Sequence, residues 1–525
     1  MNLFLIGLIP IILFLVMLAV LKCSTMLSAY TSLGAAILLT FFVGEWRMPI
    51  GGVVGSVLEG FAVAWMPIGI VVIAAIFAYE LSVKTGEINI IKKMLGNITS
   101  DKRAQALLLA WGFGGFIEGV AGYGTAVAIP AAIMVSLGFN PLNAAVICLI
   151  ANTTPTAFGT VGLPVTTIAA QLGLSVNVVA LLTTLLLWPI MFAIPFIIVK
   201  LSNSEIKDKK TSAFGGGILP VMFASIIGYS LQPIIAWFTG AELVTILSSL
   251  IAMVLMILAI KKFVKEEKEL DHSNDVTAKE AILAWLPYIF MIILIVGTSP
   301  VVAPIHNLLE HTSTKFNFTF GNAHWFNDIN GELSKANVTF KWILAPGVPI
   351  ILATILAGFF QKASIKDMTT VFIDTIKHKL SSISVIMGIV ALSMVMKHSG
   401  MINSIAAGFV QIMGGGFPLI SPFLGTIGTF VTGSDLSSNL LFGALQNNVA
   451  EGLKSGNDLL KSLFIASNTA GATGGKMISP QNIAIAASTV GLLGKEGDML
   501  RTTLKYALGY ALILGLLVFV GSMVV

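Results

Sequence analysis

Apolar segments of about twenty residues follow one another along almost the whole chain. The first two cover residues 4–21 and 27–44, and no basic region precedes the first, so we expect a membrane span there and not a cleaved signal peptide. A bilayer core about 30 Å thick is crossed by a helix of about 20 apolar residues. Only 10% of the residues are charged, against about a quarter in an ordinary soluble domain. The sequence therefore predicts an all-α polytopic membrane protein and excludes a water-soluble fold.

Basic residues lie mainly in short loops between the apolar segments. Four loops, at residues 84–103, 200–210, 261–280 and 361–380, carry five, four, five and four lysines or arginines respectively. Loops rich in Lys and Arg remain on the cytoplasmic side of a membrane. The longer stretch at residues 298–340 carries only two and is expected to face outward. This distribution accounts for the formal net charge of +5 without a nucleic-acid partner, so membrane lipids are the expected surroundings.

Twelve apolar segments alternate correctly with these loops, which places both termini outside. They lie near residues 4–21, 27–44, 61–83, 142–171, 175–199, 216–236, 242–260, 281–297, 342–360, 382–399, 459–490 and 503–523. Two further apolar stretches, at residues 104–137 and 418–450, are too long for one crossing and contain glycines near their centres. Counting either as a crossing would put a basic loop on the wrong side. We therefore predict about 12 transmembrane helices and two re-entrant hairpins that enter from opposite sides.

Two pairs of matching motifs indicate an inverted repeat. In the hairpins, "GGFIEG" matches "GTFVTG"; after them, "NTTPTAFGTVGLP" matches "NTAGATGGKMISP" at Asn, Thr, Gly and Pro. The predicted divisions are residues 1–199 for the first repeat, 200–280 for linking helices and a cytoplasmic loop, and 281–525 for the second repeat. Each repeat would hold one hairpin and one broken helix, the latter at residues 142–171 and 459–490.

Proline and glycine within the second pair of motifs predict interruptions in both helices. Pro155 and Gly159 would break the first helix, and Gly471, Gly474 and Gly475 would break the second. Backbone groups freed by a break are tolerated in a membrane only where protein or a watery cavity satisfies them. Inverted repeats with broken helices are typical of secondary transporters. The alternative for each glycine cluster is close packing of two helices through small residues.

Three charged residues, Glu118, Asp435 and Lys476, lie inside the repeated motifs. A charge at the bilayer centre costs roughly 2.5–3.5 kcal/mol on insertion scales, so each is expected to have a functional or structural reason. We interpret Lys476 as the cation that binds the carboxylate of an anionic substrate. The alternative is a permanent salt bridge to Asp435 or Glu118. If Asp435 pairs with Lys476, its protonation would free the lysine for the anion; Glu118 is the second candidate for carrying the proton.

The remaining candidates for substrate binding are hydroxyl, amide and glycine residues of the same motifs. They are Asn152, Thr153, Thr156, Thr160, Tyr123, Ser467, Asn468, Thr469, Thr473, Gly474 and Gly475. The asparagines and threonines could instead join neighbouring helices, and the Tyr123 ring could serve packing alone. Glu59, Lys397 and His398 lie near predicted span ends, where an interfacial or structural role is expected. No metal-ligand spacing or cofactor motif accompanies these residues, so we expect neither a metal nor a cofactor.

The motifs around these residues resemble those of the bacterial L-lactate permease family. The resemblance is carried by "GFGGFIEGVAGYGTAVAIPAAIMVSLGFNPLNAAVICLIANTTPTAFGTVGLPV", "GSDLSSNLLFGALQ" and "SNTAGATGGKMISPQNIAIA", and it extends over essentially the whole chain. It implies a multi-pass carrier in the bacterial plasma membrane that moves L-lactate, D-lactate and glycolate in symport with protons. A homodimer is compatible with the sequence.

A more distant resemblance connects the Asn-Thr motifs with sodium-coupled dicarboxylate carriers of the wider ion-transporter superfamily. That link implies an elevator-like movement of the hairpins and broken helices. Lys476 stands where Thr160 stands in the other repeat, and we infer that its fixed charge replaces a bound sodium ion and favours protons. Two alternatives remain open, a sodium-coupled carboxylate transporter and an intramembrane enzyme. For the enzyme, "TGSD" around Asp435 is faintly similar to an aspartyl protease motif, but no second catalytic aspartate motif is evident.

Overall fold

The computed structural model describes residues 2–122, 124–205, 213–264, 276–299, 302–318 and 336–525. The helices up to the middle of the chain are α1 (Asn2–Gly7), α2 (Ile9–Ala19), α3 (Thr25–Phe42), α4 (Ile50–Val63), α5 (Ile70–Lys84), α6 (Glu87–Gly96), α7 (Lys102–Ala106), α8 (Gly114–Val120), α9 (Thr125–Ser136), α10 (Pro141–Ala151), α11 (Thr153–Thr156), α12 (Gly159–Gln171), α13 (Val176–Ser202), α14 (Ile218–Ser230), α15 (Gln232–Thr239) and α16 (Val244–Phe263). The later elements are α17 (Ala278–Thr298), α18 (Ala303–Glu310), β1 (Ser313–Asn317), β2 (Asn337–Lys341), α19 (Gly347–Phe360), α20 (Ile365–His398), α21 (Met401–Met413), α22 (Phe417–Thr432), α23 (Asp435–Leu453), α24 (Asp458–Lys476), α25 (Pro480–Thr489) and α26 (Glu496–Val524).

Within the described ranges, nine helices are long and apolar enough to cross a membrane. They are Thr25–Phe42, Ile50–Lys84, Val176–Glu205, Ile218–Thr239, Val244–Phe263, Ala278–Thr298, Ile365–His398, Met401–Thr432 and Glu496–Val524. Shorter apolar helices are Asn2–Leu18, Thr125–Ser136, Pro141–Ala151 and Gly347–Phe360. These helices support the prediction of a helical polytopic membrane protein. The count of 12 crossings and the re-entrance of two hairpins stay predictions.

A short β-hairpin departs from the predicted all-α class. Strands β1 and β2 pair antiparallel, with Ser313 opposite Lys341. The Phe316 and Phe340 rings pack on one another with centroids 4.8 Å apart, which is the kind of cross-strand aromatic contact that stabilises a hairpin. The hairpin lies in the stretch at residues 298–340, which the sequence analysis treated only as an outward loop.

The third predicted span begins earlier than expected. The sequence places it at residues 61–83, whereas α4 and α5 extend from Ile50 to Lys84 across a π-helical segment that is kinked at Met66 (φ −136°, ψ 116°). The glycine-rich start of α4 hides this helix in the sequence. Gly60 is required by packing, because a Cβ on it would lie 2.5 Å from Ala391 Cα in α20. The glycine there belongs to a close helix crossing and not to a loop.

Helix α20 joins two segments that the sequence analysis separates. The predicted cytoplasmic loop at residues 361–380 and the span at residues 382–399 form largely one helix of 34 residues, which is about 51 Å long at 1.5 Å per residue. Its first turn is capped by Ser364, whose Oγ accepts a hydrogen bond from the backbone N–H of Asp367 at 3.0 Å. The length exceeds the ~30 Å hydrocarbon core, so the basic part can be helical and still lie outside it.

Both long apolar stretches form helical hairpins. The stretch at residues 104–137 comprises α7 and α8, joined by a π-helical segment, and then α9; the stretch at residues 418–450 comprises α22 and α23. Gly122 and Gly124 have φ of 58° and 85° in the first turn, and Gly433 has φ of 74° in the second, a region that glycine occupies without strain. In each hairpin the second arm packs against the first. Their depth in the membrane and the inverted repeat stay predictions.

The first predicted broken helix, at residues 142–171, is divided into α10, α11 and α12. Helical geometry is lost at Thr160 (φ 47°), Val161 (φ 56°) and Gly162 (φ 71°). For residues with a side chain, a left-handed backbone costs about 1–3 kcal/mol each and persists only where the surrounding structure holds it. This break therefore stores backbone strain in the middle of a buried helix.

The second broken helix is interrupted later than the sequence predicts. Within residues 459–490, α24 continues without a break to Lys476, and α25 begins at Pro480. The interruption therefore consists of residues 477–479. It places Lys476 at the carboxyl end of a helix, where the partial negative charge of the helix dipole stabilises a cation.

The three glycines that were predicted to break this helix instead pack it against its neighbours. A Cβ on Gly471 would overlap Pro422 O, and one on Gly475 would overlap Thr426 O, both in α22. Gly474 lies between them in the same regular helix. The prediction that these glycines interrupt the helix is wrong. The alternative, close packing of two helices through small residues, is right.

Candidate functional site

A cavity of about 290 Å³ lies where the two hairpins, the two helix breaks and α20 meet. Five of the predicted binding and proton-coupling residues line it, namely Glu118, Thr156, Thr160, Asp435 and Lys476. Helices α23 and α25 begin at its wall, so the partial positive charges of two helix N-termini face it. Its size suits a ligand of a few non-hydrogen atoms, because sites for drug-sized molecules reach about 300–1,000 Å³.

Lys476 is the centre of a buried polar cluster. Its Nζ donates hydrogen bonds to Glu118 Oε1 at 2.7 Å and to Thr156 Oγ1 at 2.9 Å. The Lys476 and Glu118 side chains are 8% and 3% exposed. Of the two salt-bridge partners that the sequence suggests, the structure therefore pairs Lys476 with Glu118; among the described residues no ion pair joins it to Asp435.

Glu118 reaches the cavity because the neighbouring backbone carries glycine. A Cβ on Gly159, at the first helix break, would lie 2.5 Å from Glu118 Oε1. Oε2 of Glu118 is buried and has no hydrogen-bond partner in the part of the chain that the structure describes. The carboxylate is thus held by one oxygen, through Lys476, and its other oxygen is free to take a proton or a ligand.

Asp435 lies beside this pair at the start of α23. Its Oδ1 accepts a hydrogen bond from Thr429 Oγ1 at 3.2 Å, while its buried Oδ2 has no partner in the described ranges. Lys476 and Glu118 both act on it electrostatically. With both carboxylates ionised, two negative charges face one positive charge, so the cluster has room for one more positive charge.

The hydroxyls of the first helix break connect the cavity to the backbone around it. Thr156 Oγ1 donates to Asn152 O at 2.6 Å, and Thr160 Oγ1 donates to Ala121 O at 3.3 Å. The second contact joins the turn of the first hairpin to the break. Both hydroxyl oxygens retain lone pairs that can accept a hydrogen bond from a ligand. Their proposed role in substrate binding stays a prediction.

Other predicted site residues of the second half lie in a network between helices and not at the cavity. Asn468 Nδ2 donates to Asn439 Oδ1 at 2.9 Å, and its Oδ1 accepts from Gln446 Nε2 at 3.2 Å. Asn439 Nδ2 in turn donates to Thr469 Oγ1 at 2.9 Å. Ser467 Oγ accepts from a serine of α22 at 2.8 Å. These contacts fit the alternative that such residues join α22, α23 and α24.

The last turns of α24 pack in the same way. Thr473 Oγ1 lies 2.5 Å from the Tyr510 hydroxyl of α26. A Cβ on Gly474 would lie 2.9 Å from the Tyr510 ring, and Gly475 borders α22. These residues hold the helix that presents Lys476. Direct contact of Thr473, Gly474 or Gly475 with a substrate stays a prediction.

The first-half motif differs in its hydrogen bonding. Thr153 Oγ1, at the start of α11, donates to Ile150 O in the last turn of α10 at 2.8 Å. The Asn152 side chain is 2% exposed, and neither of its polar atoms has a partner in the described ranges. A buried amide in this state is a candidate for binding a ligand or water. Tyr123, the remaining candidate, lies outside the described residues.

Several polar residues at the cavity are absent from the sequence prediction. Ser381 and Ser382 line it from the middle of α20, and Gln481 and Asn482 line it from the first turn of α25. Asn482 Nδ2 also donates to the backbone oxygen of the second hairpin turn at 3.2 Å. Gln481 and Asn482 directly follow the repeated Pro480, which is the signal that could have found them. Nothing in the local sequence distinguishes the two serines.

The chain is similar over its length to proteins named as permeases. A family model described as L-lactate permease matches residues 3–525. An L-lactate permease of Streptococcus iniae is 40% identical over 448 residues, which cover 85% of this chain and 90% of that protein. An L-lactate permease of Bacillus subtilis is 33% identical, covering 98% of this chain and 94% of that protein. Glycolate permease GlcA of Escherichia coli is 32% identical, with the same two coverages.

Proposed function

This chain belongs to the L-lactate permease family, and we propose that it carries L-lactate, D-lactate and glycolate across the bacterial plasma membrane in symport with protons. The names of its relatives support lactate and glycolate as substrates. A permease family also indicates a transporter and not an enzyme. The long apolar helices support a multi-pass location in the membrane.

The proposed mechanism rests on one contact, the buried hydrogen bond from Lys476 Nζ to Glu118 Oε1 at 2.7 Å. The substrate carboxylate replaces Glu118 as the acceptor at Nζ. For that exchange Glu118 must lose its charge. One proton forms an O–H bond on the Glu118 carboxylate, the ion pair with Lys476 breaks, and a new ion pair forms between Lys476 and the substrate. The proton and the anion together leave the net charge of the site unchanged.

The free-energy cost of an unpaired buried charge couples the binding of the proton to the binding of the substrate anion. Removing one partner of a buried ion pair costs roughly 3–5 kcal/mol. A proton on Glu118 without the anion would leave Lys476 unpaired, and an anion without the proton would place a second negative charge against Glu118. Each half-loaded state is therefore disfavoured, and proton and anion bind together.

Asp435 is the second proton acceptor of the same cluster. Its buried Oδ2 has no partner among the described residues, and Lys476 acts on it electrostatically. Carboxylates that interact this closely titrate as a group. Because Lys476 Nζ bonds to Glu118, we propose that the substrate displaces Glu118 and not Asp435, which the sequence suggested first.

The elements around the site suggest where the substrate hydroxyl binds and which parts of the protein move during transport. Thr156 Oγ1 lies 2.9 Å from Lys476 Nζ, so a 2-hydroxy acid held by Lys476 brings its hydroxyl near this threonine. Hairpins and helix breaks form the cavity wall, and an elevator-like movement of these elements, related as an inverted repeat, would expose the site to each side in turn.

Radiolabelled L-lactate uptake into proteoliposomes tests this function. One set of vesicles receives an inward proton gradient in sodium-free buffer, and a parallel set receives a sodium gradient at uniform pH. We expect accumulation with the proton gradient alone. Accumulation only with sodium would show that sodium is the coupling ion, and Glu118 would then not be the proton carrier proposed here. Conversion of lactate to another product would indicate an intramembrane enzyme.

A further inference from the structure

A second, larger cavity of about 680 Å³ lies farther along two of the helices that line the first. On α12, Thr160 faces the first cavity and Thr167 the second; on α20, Ile386 faces the first and Met394 the second. Eight residues of helix separate the last two, which corresponds to about 12 Å. The same pair of helices therefore borders both cavities in succession.

The second cavity opens on the side that the sequence assigns to the outside. Thr298 at the end of α17, His306 of α18 and several residues of β2 line it. These elements belong to the stretch at residues 298–340, which is predicted to face outward from its few basic residues. We refer to this space as the outer cavity.

Three polar side chains line the outer cavity from α12 and α20, namely Thr167, Gln171 and Lys397. Thr167 is 4% exposed, and its Oγ1 has no partner in the described part of the chain, nor has Oε1 of Gln171. Gln171 Nε2 reaches Ser393 Oγ at 3.5 Å, one helical turn before Lys397. Lys397 lines the same cavity and forms no ion pair with any residue that the structure describes.

A buried pair beside Lys397 holds the nearest carboxylate. His398 Nε2 lies 2.6 Å from Glu59 Oε2, and the two side chains are 1% and 7% exposed. Glu59 also lines the outer cavity. The contact with His398 occupies Oε2 of Glu59, so this oxygen is not available to pair with Lys397. From the sequence, both residues were expected to have only interfacial or structural roles; 339 positions separate them, so no local pattern predicts their pairing.

The other charged groups at this cavity lie nearer its outer elements. Lys341 is 3.7 Å from Glu310, and His306 Nδ1 is 2.9 Å from Thr298 O. Glu242 lies between two membrane helices, and burial raises its pKa to about 7. Helices α3 and α21, which also pack on α20, carry no Asp, Glu, Lys, Arg or His. Among the described lysines at this cavity, Lys397 is thus the one without an acidic partner.

We infer that the outer cavity is a second binding site for the transported hydroxycarboxylate, in which Lys397 binds the carboxylate and Thr167 and Gln171 bind its polar groups. The contact between Glu59 and His398 keeps this carboxylate from pairing with Lys397. This inference rests on the proposed function, since it concerns the path of the same substrate. It adds a site that an anion occupies on the outer side before it reaches Lys476.

Transport measured separately from the two faces tests the outer site. Right-side-out membrane vesicles report the KM for external L-lactate, and inverted vesicles report the KM at the cytoplasmic face. Lys397→Gln is expected to raise the external KM roughly tenfold, as the loss of one charge-assisted hydrogen bond would, and to leave the cytoplasmic KM unchanged. Lys377→Gln, at an exposed position of the same helix, serves as the control that changes neither value.

Further variants separate binding from structural support. His398→Gln leaves Glu59 unpaired and is expected to raise the external KM, and adding Glu59→Gln is expected to restore it. If Lys397→Gln does not reach the membrane in folded form, Thr167→Val is the replacement test, with an external KM raised several-fold. Equal KM values for wild type and variant at the outer face would overturn the outer site. Absence of lactate transport in the wild type would instead overturn the proposed function.

Discussion

The two helix breaks hold corresponding positions of the repeated motif but are built differently. Counted from Asn152 and Asn468, Thr160 and Lys476 occupy the same place, and both line the first cavity, of about 290 Å³. The backbone is left-handed at Thr160, whereas α24 remains regular to Lys476. One half therefore contributes a strained backbone and a hydroxyl, and the other contributes a fixed charge at a helix end. Two related sequences thus supply different chemistry to one site.

The asparagines of the two motifs, Asn152 and Asn468, also differ in their hydrogen bonding. Neither polar side-chain atom of Asn152 has a partner in the described ranges, whereas Asn468 bonds to both Asn439 and Gln446. Polar atoms that are already bonded stabilise the fold, and buried atoms without a partner are available to a ligand or water. Of these two asparagines, Asn152 is therefore available to a ligand or water, and Asn468 belongs to the frame that positions Lys476.

The largest effect on transport is expected at Lys476, which matches Thr160 of the other motif. Lys476→Met removes the ligand for the substrate carboxylate and leaves Glu118 unpaired, a cost of roughly 3–5 kcal/mol. L-lactate uptake into proteoliposomes should fall at least 100-fold. Thr160→Val, at the matching position, should reduce it only several-fold.

A double variant tests whether Lys476 does more than balance the charge of Glu118. If Lys476 only balances Glu118, the double variant Lys476→Met with Glu118→Gln would regain normal uptake, because neither charge remains. The proposed exchange requires the double variant to stay inactive while it folds and inserts like the wild type. Size-exclusion profiles of the purified proteins provide the control for folding.

Glu118→Gln should separate accumulation from exchange. A permanently neutral side chain lets Lys476 bind the anion but cannot release a proton. Proton-driven accumulation should therefore be lost, while exchange of labelled for unlabelled lactate at equal pH continues within a few-fold of the wild-type rate. Asp435→Asn, matched in charge and size, should retain accumulation with an altered pH profile. Full loss in Asp435→Asn with accumulation intact in Glu118→Gln would reverse the two roles.

Alanine at the two asparagines should give opposite kinds of defect. Asn468→Ala leaves Asn439 and Gln446 with unsatisfied groups, at about 1–3 kcal/mol for each group, so the Tm of the purified protein should fall while its KM per folded molecule changes little. Asn152→Ala should leave the Tm nearly unchanged and raise the KM several-fold. Equal losses of Tm in both variants would contradict the division between frame and free polar groups.

The smallest expected effect concerns the pH dependence of binding at the outer cavity. The carboxyl of Glu242, with a pKa of about 7, is mostly neutral at pH 6 and mostly ionised at pH 8. Its ionisation adds a negative charge to the cavity and should raise the external KM about twofold, as a solvent-screened repulsion would. Glu242→Gln should remove this part of the change in right-side-out vesicles held at equal pH on both sides.

The sequence predicted those features that depend on one residue or one segment alone, such as the free-energy cost of placing a charge in a membrane. Apolar length predicted a polytopic membrane protein, and the expense of a buried charge singled out Glu118, Asp435 and Lys476, which line one cavity. The left-handed backbone near Gly159 also follows a local signal, since proline and glycine stand together there.

The sequence failed where the outcome depends on which helix lies opposite. Gly471 and Gly475 look the same in the chain whether they interrupt a helix or let α22 approach it, and the structure shows close approach. Glu59 and His398 carry no motif, because only the packing of α4 on α20 brings them together. Partners between helices are not encoded in the spacing along one helix.

The pH of a weakly buffered suspension of proteoliposomes, followed as L-lactate is added without any imposed gradient, tests the central claim most directly. If an anion can bind Lys476 only when Glu118 is protonated, the medium should become more alkaline as lactate enters, and the change should be absent with Glu118→Gln. Lactate uptake into wild-type vesicles with no proton uptake would contradict the exchange at Lys476.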